Sequence, residues 1–324
     1  MCTAITYSTK DHYFGRNLDL NVSYHEQVTI TPRNYPFTYR RVGDVPHHYA
    51  MIGMATVVDD YPLYYEATNE TGLSMAGLNF PGNADFKPEA SGLDNVTPFE
   101  FIPWILGQCA TVGEAKQRLE TINLVNIDFS NELRLHPLHW MIADQQQSIV
   151  VEPLKNGLRV YDNPVGVLTN NPSFDYQLFN LNDYRHVSTK LPDNTFAKAL
   201  ELEAYCLGLG GHGLPGDLSS TSRFVRATFA RFNSVSGQTE SESVSQFFKL
   251  LDTVMQTRGL NEAADGTFEY TIYSSCCNMD RGIYYYQTYE NSQITAVSLF
   301  NEDLDGTRLI AYPLVTGQQI HYAN

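Results

Sequence analysis

Cysteine is scarce in this chain, with five residues in 324, and tryptophan is scarcer, with two. The cysteines are Cys2, Cys109, Cys206, Cys276 and Cys277. Their odd number and the absence of any CxxC spacing argue against a disulfide framework or a zinc site and for reduced thiols. Adjacent Cys276 and Cys277 fall in a strand-like stretch, where neighbouring side chains point to opposite faces, so they make a poor chelating pair. Positive charge is also short: 21 Lys and Arg face 36 Asp and Glu, for a formal net charge of −15. With no clustered basic face, nucleic acid is excluded as a partner. An anionic ligand would have to be held by local arginines and apolar contact, because the overall field repels it. No run approaches the roughly 18 consecutive apolar residues of a membrane helix, and the N-terminus lacks the basic-then-apolar layout of a signal peptide. The expectation is a cytoplasmic protein with no membrane partner.

Several chemical motifs are missing too. There is no GxSxG, HExxH or P-loop pattern. The stretch GLGGHG, residues 208–213, fits GxGxxG in letters only, since a turn (Leu-Pro-Gly-Asp) follows it where a dinucleotide site needs a helix. It reads as a loop. His47, His48, His136 and His139 have no acidic or cysteine companion at metal-ligand spacing and read as exposed or internally satisfied histidines.

What is present is apolar residues at 43%, rich in 21 Tyr and 17 Phe. That composition is globular and suits sheets. Strand-like alternation runs through CTAITYS, HYFGRN, QVTITPRNYPFTYR and YAMIGMATVV. YPLYYEATNETGLSMAGLNF reads as two strands around a turn at Asn69 to Gly72. Two helices are expected next, an apolar one in TPFEFIPWILGQC and one in TVGEAKQRLETINLV opened by a Thr111-x-x-Glu114 capping box. Strands return after residue 137, helices at STSRFVRATFARFNSV and SESVSQFFKLLDTVMQTRG, and strands again in EYTIYSSCCNMDRGIYYYQTYENSQITAVSLF. Strands in consecutive hairpins with helices in separate blocks favour an α+β architecture of antiparallel sheets flanked by helices. No repeat or linker marks a domain boundary.

The first chemical candidate is Cys2, directly behind the initiator methionine. If Met1 is removed, Cys2 carries a thiol and a free α-amine together. With ordinary pKa values of about 8.5 and about 7.7–8.0, the amine can take the thiol proton near neutral pH. One residue then supplies nucleophile and base. Arg16 and Asp19, in FGRNLD, are of the types that would favour the thiolate and orient the amine. By itself, a bare Met-Cys start favours reading Cys2 as a half-buried strand residue, and Arg16 with Asp19 reads equally as a surface ion pair.

The start MCTAIT with FGRNLD, then MAGLNF, VLTNNPSFD, GLPGD and SRFVR resembles the choloylglycine hydrolase family of N-terminal-nucleophile amidohydrolases, over the whole chain and in family order. The resemblance implies one domain over residues 1–324, with a four-layer αββα sandwich of two antiparallel sheets between helical layers. It implies Cys2 as nucleophile, Arg16 against its sulfur and Asp19 holding its amine. The Asn170 side-chain amide and the backbone N–H of Asn79 would bind the oxyanion, and Arg223 would complete the charged cluster. Leu18, Phe129 and Leu133 match substrate-pocket positions. Residue types alone would make the two asparagines turn formers, Arg223 a helix-start residue and the pocket positions core residues. The implied substrates are glycine- or taurine-conjugated bile salts, with no metal or organic cofactor and a homo-oligomeric, tetrameric assembly. A penicillin V acylase with the same cluster and another pocket stays open, though acylases of this family tend to carry tyrosine at the position of Asn79. So does a non-catalytic binding protein that keeps Met1.

Overall fold

The structure, a computed structural model, describes all 324 residues. Two antiparallel sheets lie at its centre. The first has six strands, in the order Val167–Leu168, Cys2–Ser8 (β1), His12–Leu20 (β2), Tyr270–Asn278, Ile283–Thr288 and Asn291–Ser298. The second has eight, in the order Gly157–Asp162, Ser148–Leu154, Leu138–Ala143, Ser74–Asn79, Tyr61–Asn69, Met51–Val58, Gln27–Thr31 and Ile310–Pro313. Consecutive strands are mostly neighbours, as short hairpin connections require.

Both faces of the eight-stranded sheet are apolar. Met51, Met75, Trp140 and Ile142 pack on one side with helices α1 (Phe101–Gln108) and α2 (Val112–Leu119). Their strand neighbours Ile52, Ala76, Leu78 and Met141 join the other core. A strand alternates its side chains, so burial of both sets means a layer on each side. The six-stranded sheet is covered in turn by α4 (Ser220–Asn233) and α5 (Glu240–Asp252), while the short α3 (Phe174–Asn180) packs its Phe174 against Phe224 of α4 and Tyr161 of the eight-stranded sheet. The result is the four-layer αββα sandwich that the order of segments permits and the family resemblance implies.

Local chemistry explains the joints. Asn69 Oδ1 accepts the N–H groups of Thr71 and Leu73, and Gly72 sits at φ +91°, the left-handed region that a side chain resists. Helix α1 is buried from Phe101 to Gly107, as its uniformly apolar sequence demands. The expected capping box at α2 is only half made: the Thr111 hydroxyl accepts the Glu114 N–H, but the Glu114 carboxylate turns back one residue further, to the Ala110 N–H at 2.7 Å. A complete box forms at α5 instead, between Thr239 and Glu242. The GLGGHG stretch is a loop with a short 3-10 turn over Leu209–Gly211. No helix is long and apolar enough to cross a membrane.

Candidate active site

The antiparallel register of β1 and β2 sorts the candidate residues. Cys2 lies opposite Leu18 and Ala4 opposite Arg16. Directly opposed residues share a face, so Cys2, Leu18 and Arg16 point the same way. Asp19 is three positions from Arg16 and therefore points the other way, with Thr3 and Asn17. The sulfur-bearing face is turned into the space between the sheets, because Arg16 Nη1 crosses to the Gly77 and Tyr65 carbonyls of the eight-stranded sheet at 2.6 and 3.1 Å. The opposite face is turned toward the helices, since the Asn17 carboxamide donates to the Leu251 carbonyl of α5. Gly15 lets β2 lie close against the Tyr270–Asn278 strand of its own sheet: a Cβ there would collide with the Ser275 carbonyl.

Arg16 is completely buried. Its counter-charge is Glu66, 3.8 Å from Nε and itself buried. Glu66 accepts hydrogen bonds from the hydroxyls of Tyr273 at 2.7 Å, Ser275 at 3.0 Å and Tyr284 at 2.5 Å. Burial pushes the Glu66 carboxyl up, while Arg16 and the three hydroxyls pull it down. Burial likewise opposes the Arg16 charge, but Cys2, Tyr273, Glu66 and Asp19 outweigh it and raise the guanidinium above the ordinary arginine value. Nη2 of Arg16 has no partner.

On the other face the Cys2 backbone is held by two side chains. Its N–H donates to Asn170 Oδ1 at 2.8 Å. Arg223, in the first turn of α4, donates from Nη1 to the Cys2 carbonyl and to Thr3 Oγ1, and from Nη2 to Asn170 Oδ1 at 2.8 Å. Asp19 Oδ2 is 4.0 Å from Arg223 Nη1 and has no hydrogen-bond partner, whereas Oδ1 accepts from the Thr271 hydroxyl at 2.7 Å. Burial raises the Asp19 carboxyl against the pull of Arg223. The same burial lowers the Arg223 guanidinium, with Asp19 and Cys2 opposing. Met1 extends β1 by one residue, its amine donating to the Asp19 carbonyl and pairing with Glu269.

Asn170 also links to Asn79: its Nδ2 donates to the Asn79 carbonyl at 2.6 Å. The Asn79 side-chain oxygen is buried and unpaired. Five of the sequence candidates, Cys2, Asp19, Asn79, Asn170 and Arg223, thus join in one polar cluster, with Arg16 on the sulfur side of the same strand pair. The pocket candidates divide. Leu18 is the cross-strand partner of Cys2 and is buried. Phe129 packs instead edge-on against Phe99 and tilted against Tyr61, at 5.2 and 5.8 Å between ring centroids, and Leu133 closes a turn with Ser130. No hydrogen bond or ring contact ties either to Cys2. A polar cavity of about 350 Å³ opens at the opposite end of β1, around Thr6, Ser8, Gly166 and Arg231.

Of the histidines singled out in the sequence, His47 bonds to Asn34, His48 lies between two backbone carbonyls, and His139 is buried against Glu152 and Thr169. Residue-by-residue reading misses Glu66 and Thr271, the partners of Arg16 and Asp19. Glu66 carries one faint signal, the single charged residue inside the strand YPLYYEATN.

A family profile, described as linear amide C–N hydrolases of the choloylglycine hydrolase family, matches residues 2–312. The chain is 59% identical over 324 residues to a bile salt hydrolase/transferase of Lactiplantibacillus plantarum, covering all of both chains. It is 37% identical over 330 residues to the bile salt hydrolase/transferase of Clostridium perfringens, again over the full length of each. A solved structure of a mutant conjugated bile acid hydrolase from Clostridium perfringens superposes with a TM-score of 0.93 at 36% identity over 100% of both chains. Penicillin V acylase from Agrobacterium tumefaciens shares the fold, with a TM-score of 0.78 at 18% identity, over 97% of this chain and 92% of its own. A family match across almost the whole chain and full-length relatives well above 30% identity settle the assignment: the chain belongs to the choloylglycine hydrolase family of linear amide C–N hydrolases.

Proposed function

We propose that this protein hydrolyses the amide bond of glycine- and taurine-conjugated bile salts, with Cys2 as nucleophile after removal of Met1. The observation that carries this reading is the division of labour across β1. Arg16 stands on the sulfur face, while Asp19, Asn170 and Arg223 gather on the nitrogen side, with one Asp19 oxygen still unpaired. Supporting it, the full-length relatives are named as bile salt hydrolases, one of them at 59% identity.

The Cys2 sulfur attacks the amide carbonyl, forming an S–C bond. The carbonyl oxygen becomes an oxyanion, for which the second N–H of Asn170 Nδ2 and the Asn79 backbone N–H are the proposed donors; one such donor is worth roughly 2.7–4 kcal/mol of barrier. The α-ammonium of Cys2, held by Asp19, protonates the departing nitrogen as the C–N bond breaks. The amine then takes a proton from water, which attacks the thioester and releases the bile acid. Leu18, Phe129 and Leu133 are proposed to line the apolar side of the substrate site. The whole chain acts as one catalytic domain and needs no cofactor in this scheme.

Release of glycine or taurine from glycocholate and taurocholate, with phenoxymethylpenicillin in parallel, tests the reading; cleavage of the penicillin alone would overturn the bile-salt pocket. A second reading follows from the relatives' names, which include transferase. The same thioester can pass its acyl group to an amine in place of water, and formation of an amide from added amino acid would reveal it. The segment from Leu191 to Leu207 leaves Phe196, Tyr205 and Leu207 more than four-fifths exposed, which supports burial against further copies of the chain in a tetramer. Light scattering of the purified protein tests that assembly, and cell fractionation tests the cytoplasmic location.

A further inference from the structure

His139 and Glu152 form a fully buried pair that the proposed mechanism does not use. They sit on adjacent strands of the eight-stranded sheet, with His139 Nδ1 3.2 Å from Glu152 Oε1. The other ring nitrogen, Nε2, is 2.9 Å from the Thr169 carbonyl. A carbonyl only accepts, so Nε2 carries a proton. Glu152 Oε1 also accepts the Phe174 N–H at 3.0 Å. Glu152 Oε1 therefore faces both the His139 ring and the Phe174 N–H.

What the pair touches gives it a role. Thr169 directly precedes Asn170, and Phe174 follows it by four residues. The His139 ring stacks face to face on Phe80, the residue after Asn79, with centroids 4.1 Å apart and planes within 7°. A single buried unit thus grips the Asn170 segment on both sides and the Asn79 segment on one. Resting on the function proposed above, we infer that His139 and Glu152 are positioning residues: they hold Asn170 and Asn79 at the separation the oxyanion requires.

Replacement of Glu152 by glutamine isolates this role. The carboxamide oxygen can still accept the Phe174 N–H, but an imidazole with one ring proton cannot then donate to both that oxygen and the Thr169 carbonyl. In Glu152→Gln the Thr169 link loosens without loss of volume. Turnover of glycocholate should fall about 10–100-fold in kcat, the usual effect of losing a group that orients a reacting one, with KM nearly unchanged. Because the loss acts through Asn170, it should vanish in an Asn170→Ala background. Hydrogen exchange of the free protein should quicken over residues 168–174 and not in α5. Should Glu152→Gln fail to fold, Phe80→Leu removes the stack on the Asn79 side, leaves the His139–Glu152 contact intact and should lower kcat in the same way.

An undiminished kcat, a change confined to KM, or a loss that multiplies with Asn170→Ala would overturn the positioning role. If the wild-type chain leaves glycocholate untouched, the bile-salt reading fails alone. The exchange of residues 168–174 still judges the clamp, since it needs no substrate.

Discussion

The side-chain oxygen of Asn170 lies 2.8 Å from the Cys2 nitrogen and 2.8 Å from Nη2 of Arg223, so one carboxamide ties the head of β1 to the start of α4. The same carboxamide reaches Asn79 through its nitrogen. Its orientation is therefore determined, because only the oxygen can accept from two donors and only the nitrogen can meet a carbonyl.

If that nitrogen is an oxyanion donor, Asn170→Ala should lower kcat by about 10²–10³. Initial rates over a range of glycocholate concentration separate this from a binding role, which would appear in KM alone.

Cys2→Ala should abolish turnover and leave the circular dichroism spectrum unchanged, since the change removes one sulfur atom, adds no volume, and the thiol has no hydrogen-bond partner to lose. The intact mass of active wild-type protein should lack Met1. Activity in a chain that retains Met1 would disprove the amine's part in the mechanism.

Thiol alkylation should be selective. Burial pushes the Cys109 thiol up to about 11, that of Cys277 to about 12, and that of Cys276 well above the usual value. A raised pKa keeps the S–H form until the pH passes it, so at pH 8 these three stay protonated and unreactive. Cys206, exposed on its loop, reacts freely. A Cys206→Ser variant labelled with iodoacetamide should gain a single adduct, and the further change Cys2→Ala should remove it; mass spectrometry reads both.

Glu66→Leu should destabilise the fold by about 3–5 kcal/mol, the usual penalty for leaving a buried charge without its partner. Arg16 would lose its counter-charge, and the Tyr273, Ser275 and Tyr284 hydroxyls their acceptor. Urea unfolding measures the loss.

Much of the architecture is legible locally. Strand-like segments mark β1, β2 and all of the eight-stranded sheet but its last strand, Ile310–Pro313, which the sequence reading does not foresee, and the all-round apolar character of α1 announces a buried helix. Spacing also separates Arg16 from Asp19, because residues three apart on a strand take opposite faces. The pattern Thr111-x-x-Glu114 predicts a reciprocal cap at α2, yet the cap is one-sided: Glu114 bonds the Ala110 N–H instead of the Thr111 N–H. The reciprocal cap at Thr239 carries the same Thr-x-x-Glu pattern, with Glu242 three residues on, so the spacing marks both helix starts and the surroundings decide which box closes.

By itself, then, the sequence determined the elements, their faces and the family, since these depend on patterns a few residues long and on motifs kept in order. Tertiary structure decided the partnerships. Cys2 meets Asn170 across 168 positions and Arg223 across 221. Glu66 comes beside Arg16 only because two sheets stack with their inner faces in contact. Nothing local encodes such meetings. They arise when burial of both faces of each sheet leaves one arrangement in which the charged groups of the interior find one another.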